Sequence, residues 1–140
     1  MRFRRTQTGA SLASMRLVLT FVLAVLPFAA IADVKSDARS SLEMWSPSAV
    51  GFSNGTLTVN LPQNRVTEDM YIASLAFGIC VGTVTGKDFS SVREFVLLNQ
   101  GGTQGFVYER GATDCDAILD EDLRSIKDQR LHILGATHWH

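Results

Sequence analysis

Residues 67–86, TEDMYIASLAFGICVGTVTG, decide how this chain folds. Thr67 is a favoured N-cap, and Glu68 and Asp69 in the first turn suit the positive end of a helix dipole. Val66, Met70, Ala73, Phe77, Val81 and Val84 follow at helical spacing. Tyr71, Ile72, Leu75 and Ile79 widen the apolar surface almost all the way round, and such a helix belongs in a core or a membrane. The stretch from Met70 to Gly86 carries no charge, but its Ser, Thr and three glycines favour the core.

Upstream, Thr56 to Leu61 alternates cleanly, with Leu57, Val59 and Leu61 on one face of a half-buried strand that Pro62 closes. Ser53-Asn54-Gly55 reads as a turn. Val34, Ala38 and Leu42 recur every four residues between charged positions, which predicts a short amphipathic helix. Trp45-Ser46-Pro47 ends it, because a residue before proline avoids helical geometry.

Downstream, Val92 to Leu98 is apolar on both faces, as an inner strand is. Asn99 to Thr103 is a glycine-rich turn, and Gly105 to Glu109 returns as the second strand of a hairpin, with Gly105 at a bulge. Thr113 is expected to cap a short helix whose first turn holds Asp114 and Asp116. Leu119 to Ile126 extends it by a second helical turn, and Arg130 to Leu134 adds a last strand. This order predicts a small single α+β domain: a mainly antiparallel sheet of three to four strands packed against a central buried helix.

The N-terminus has the three-part layout of a cleaved secretory signal over residues 1–32. Arg2, Arg4, Arg5 and Arg16 precede an uncharged apolar run from Leu17 to Leu26. Pro27 then breaks any helix, and Ala30-Ile31-Ala32 offers small residues for cleavage before Asp33. Leu17 to Ala32 spans 16 residues, short of the roughly 17–25 that cross a bilayer. The expectation is therefore an exported mature domain of residues 33–140, periplasmic in a Gram-negative bacterium and otherwise secreted, with no membrane span once the signal is removed. Removal takes four of 13 basic residues and no acid, so the formal charge falls from −1 to −5. Such a domain has no electrostatic reason to bind nucleic acid.

Cys80 and Cys115 are the only cysteines, and in an oxidising compartment they are expected to form a structural disulfide. A redox pair would place its thiols close together, as in Cys-x-x-Cys. A Cys–His catalytic pair built on Cys115 requires that this bond be absent.

Other chemistry is sparse. Asp114, Asp116, Asp120, Glu121 and Asp122 cluster, but Ala117-Ile118-Leu119 stands where a calcium loop needs ligands. His138 and His140 share a side of an extended tail and are weak metal candidates, with His132 or an acid needed to complete a set. No phosphate-cradling glycine loop occurs, and neither a catalytic residue nor a cofactor is assigned. The hairpin tip, Gln100, Gly101, Gly102, Thr103 and Gln104, is the candidate binding element, since loops on a rigid sheet often carry recognition. Two functional readings follow. The favoured one is a non-catalytic exported module that binds an envelope protein or a small ligand. The alternative is a small metal-dependent or carboxylate-based exported hydrolase.

Overall fold

The computed structural model describes residues 26–120 and 125–140, with side chains from Asp33 onward. Most of the expected export signal lies outside these residues, as does the 121–124 part of the expected second helical turn. Helix α1, Leu26–Ser41, runs without a break past residue 32. Pro27 therefore opens a helix instead of breaking one, since a first-turn proline lacks only an N–H that would have no helical partner. Val34, Ala38 and Leu42 are buried, as their spacing requires. A 3-10 turn, Glu43–Trp45, and Ser46 in left-handed geometry (φ 52°) carry the chain out before Pro47.

The sheet has five strands among the described residues, in the order β1-β2-β3-β4-β5. Strand β1 is Ala49–Ser53 and β2 is Thr56–Asn60, paired antiparallel with Ser53 opposite Thr56. Asn54 (φ 51°) and Gly55 (φ 83°) make the left-handed two-residue turn that suits a twisted hairpin. Strand β3, Glu94–Leu98, lies parallel to β2, so the sheet is mixed and exceeds the expected three to four strands. A parallel neighbour needs a crossover, and the central helical segment supplies it. Strand β4, Gly105–Tyr108, returns antiparallel in unbroken register, Leu98 opposite Gly105 and Phe95 opposite Tyr108. No bulge is present at Gly105; close approach is what requires glycine there, because an added Cβ would overlap the Leu97 carbonyl.

The crossover is α2 (Glu68–Ala73), a π-helical segment (Ser74–Cys80) and α3 (Val81–Val84) in continuous succession. Thr67 caps it as expected, its Oγ1 accepting from the Met70 N–H at 3.3 Å. The inward stripe is Tyr71, Leu75 and Ile79, all fully buried. Phe77 and Val84, expected among the core positions, point outward; six residues after Tyr71 and two before Ile79, Phe77 falls on the side of the helix away from the inward stripe. Gly78 and Gly82 admit α1: a Cβ at Gly78 would overlap Leu42, and one at Gly82 would lie 2.7 Å from Ser41 Oγ.

Cys80 and Cys115 are disulfide-bonded, tying the end of the π segment to the start of α4, Cys115–Ile118. Thr113 does not cap that helix; its hydroxyl donates to the Arg110 carbonyl at 2.6 Å. Leu119 leaves the helix, and a separate helix α5, Ile126–Leu134, stands where a strand over Arg130 to Leu134 was expected. Ser125 sets its start, accepting from the Asp128 N–H at 3.1 Å and donating to the Asp128 carboxylate at 2.8 Å. The last strand, β5, is instead Thr137–Trp139, pairing with β4. Among the described residues, no helix is long and apolar enough to cross a membrane.

Candidate interaction surface

The main core lies between the helices and one sheet face, where Leu57, Val59, Phe95, Leu97, Phe106 and Tyr108 point. The sheet, α1 and α4 together bury Ser74, Leu75, Ala76, Gly78, Ile79, Cys80 and Gly82, and leave one outer stripe of the crossover uncovered. Half-buried Ala73 and Val81 with Phe77 (64% exposed) and Val84 (68% exposed) form that outer stripe. Beside Phe77 a recess of about 200 Å³ opens between the crossover and α5. Ile72, Ala73, Phe77 and Ile126 give it apolar walls, and Ile126 is 86% exposed.

The rim of this recess is pinned. Arg130 on α5 reaches the first turn of α2, pairing with Glu68 and with Asp69 at 2.5 Å. The two carboxylates hold the Arg130 guanidinium in its charged form, raising its pKa above the ordinary arginine value. Exposed ion pairs contribute little to stability, so their effect here is to fix the spacing of the two helices.

A second polar cluster lies beside the disulfide. Asp114 Oδ2 accepts from the Tyr108 hydroxyl, from His132 Nε2 at 2.8 Å and from Arg110 Nη1 at 3.4 Å. One carboxylate oxygen thus joins β4, the turn before α4, and α5. Burial opposes its charge, but the Tyr108 and His132 hydrogen bonds outweigh that, and the Asp114 carboxyl titrates below the usual carboxylate range. Burial first, then the bond to Asp114, raises the Tyr108 phenol far above its ordinary value. No hydroxyl or thiol among the described residues bonds the other nitrogen of His132, and both cysteines are oxidised. The cluster is a clasp, and the Cys–His pairing is excluded.

A depressed carboxyl pKa stabilises the fold above the unfolded value and loses that contribution as pH falls through the folded one. Asp114→Asn should therefore cost about 2 kcal/mol at neutral pH, the scale of a charged hydrogen bond. Urea denaturation of both proteins at several pH values checks this. The gap between them should narrow below about pH 4.

The hairpin tip is more fixed than its glycines suggest. Asn99 Oδ1 accepts from the N–H groups of Thr103 and Gln104, and its Nδ2 donates to Asn64 O at 2.9 Å. The Gln104 side chain imitates a strand partner, bonding both the N–H and the carbonyl of Val66 at 2.8 and 2.9 Å. Of the candidate binding residues, Gln104 is thus engaged within the fold, while Gln100, Gly101 and Thr103 are exposed.

The histidines do not gather. His132 meets Asp114 below the helix-covered face, whereas His138 pairs with Val107 on the opposite face and contacts Glu109 at 2.8 Å. His140 lies beyond the strand, its N–H donating to Gly105 O. Among the described residues, no three His, Cys, Asp or Glu side chains group as a metal site would need.

Sequence reading placed Phe77 in the core and did not bring Ile126 beside it. The signal was present in the charge-free helix, which is apolar on more sides than one small core can cover. The Asp114 clasp had no local signal, because its members lie up to 24 residues apart in the chain. Comparison of the chain with protein-family models, with curated proteins and with solved structures finds no match.

Proposed function

We propose that the protein is an exported, non-catalytic binding module that uses the outer stripe of its crossover helix to hold an apolar side chain of an envelope protein. One observation carries this reading: a charge-free helical segment buries Tyr71, Leu75 and Ile79 but leaves Phe77 and Val84 in water. Contiguous exposed apolar surface rimmed by charge is the usual mark of a docking site. The Phe77 recess is of a size to seat one large side chain, and the Arg130 pairs keep it open.

The test is capture of cross-linked partner from the native envelope by the wild-type protein and by three variants. Phe77→Glu and Ile126→Glu should each reduce recovery of the same partner by about tenfold or more, the scale of an interface hot spot. Gln100→Glu, at the hairpin tip, should leave recovery unchanged. All three positions are exposed, so stability should change by no more than about 0.5 kcal/mol. Undiminished capture by Phe77→Glu together with loss in Gln100→Glu would move the function to the hairpin tip.

A further inference from the structure

We infer that the cleft beside the β1–β2 turn is a binding site for a monoanionic carboxylate carrying an apolar group. The cleft measures about 520 Å³ and is lined by Phe52, Asn54, Gly55, Ser90, Ser91 and Arg93. It lies away from the Phe77 recess and shares no residue with it.

Arg93 is placed there by backbone and packing together. Its N–H donates to the Gly55 carbonyl at 2.8 Å. Its hydrocarbon stem lies across the turn, with Cγ and Cδ each 3.4 Å from where a Gly55 Cβ would be. Its guanidinium has no hydrogen bond or ion pair among the described residues. The Asn54 carboxamide and the Ser91 hydroxyl are likewise uncommitted among them. Three unused donors therefore border one cleft that no acidic residue lines. A planar guanidinium supplemented by neutral N–H and O–H donors matches the two oxygens of a carboxylate. Ser90 is excluded from this set, because its hydroxyl already donates to Asp88 at 2.6 Å.

Charge selects the class of anion. One arginine balances one negative charge, and a neighbouring cleft that shares Ser90 and Ser91 is lined by Asp33, Asp37 and Asp88. That acidic neighbour disfavours a dianion such as phosphate. Half-buried Phe52 supplies an apolar wall, so a carboxylate with an attached aromatic or aliphatic body fits better than a bare one.

The experiment is an NMR titration of the 15N-labelled protein at constant ionic strength with phenylacetate, acetate and inorganic phosphate. Saturable shifts at Gly55, Ser91 and Arg93 are expected with phenylacetate, weaker ones with acetate, and none with phosphate. Arg93→Gln should weaken phenylacetate binding by about tenfold, and Arg93→Lys by less, because lysine keeps the charge but loses the fork. Each variant's own spectrum reports whether it is folded. A short peptide ending in phenylalanine then separates two sources of the same chemistry. Tighter binding than phenylacetate, abolished by C-terminal amidation, assigns the cleft to a chain terminus, and equal binding assigns it to a free carboxylic acid. Shifts that do not saturate, that persist in Arg93→Gln, or that are stronger with phosphate overturn the inference.

Discussion

Replacing Gly105 with alanine is expected to destroy the cooperative fold. The added Cβ would overlap the Leu97 carbonyl oxygen and sit 2.9 Å from both Leu97 C and Leu98 Cα. All of these are backbone atoms of β3, the central strand, so no rotamer change relieves them. Moving β4 away would break the β3–β4 pairing and withdraw Phe106 and Tyr108 from the core. A cost above about 4 kcal/mol is the scale of such backbone conflicts. The whole stability of a small domain is only about 5–15 kcal/mol. Gly101→Ala provides the control, since its nearest neighbour would be Thr103 Oγ1 at 3.6 Å in an exposed turn. Urea denaturation should show a near-normal transition for Gly101→Ala and none, or a severely shifted one, for Gly105→Ala. Equal stability of Gly105→Ala and wild type would contradict the β3–β4 pairing described above.

The second large effect is loss of the disulfide. Cys80 and Cys115 stand 35 positions apart, and closing a loop of that length stabilises by roughly 4 kcal/mol in the chain-entropy model. Both residues are buried, so the double replacement by alanine also removes packing under the crossover. The bond links the π segment to α4, beside the Asp114 clasp that holds the same region to β4 and α5. Cys80→Ala/Cys115→Ala should lower the free energy of unfolding by about 4 kcal/mol. In the native wild type, a thiol reagent should find nothing to react with until the protein is denatured and reduced. A free thiol in the native protein would contradict the pairing.

Much of the framework was legible because it rests on short-range pattern. The alternation of Leu57 and Val59 declares β2, and the two-faced run from Phe95 to Leu98 declares a central strand. Thr67 caps the helix as its chemistry implies. The failures share a cause: competing local signals settled by tertiary contact. Arg130 to Leu134 mixes apolar and polar residues loosely enough to read as strand, yet the Ser125–Asp128 cap commits it to helix. Thr137–Trp139 becomes a strand only because β4 offers it an edge, with Trp139 tilted against Phe106 at 4.5 Å. Strand β1 was hidden because only Val50 in it is buried. The parallel β2–β3 pair is a property of the crossover and leaves no mark on either strand alone.

The candidate surface was half legible. Every residue of the outer stripe was visible as apolar and helical, but periodicity alone could not say which side the sheet would claim. Packing against the sheet and against Ser41 and Leu42 decides it, and neither contact leaves a mark on the sequence of the helix itself.

The outer stripe of the crossover helix is the proposed docking surface. Site-specific photocross-linking in the native envelope tests it most directly, with the photoreactive side chain placed in turn at Phe77, Ile126 and Gln100. One and the same discrete adduct is expected from positions 77 and 126, and none from position 100. Adducts from position 100 alone, or only a diffuse smear from positions 77 and 126, would contradict it.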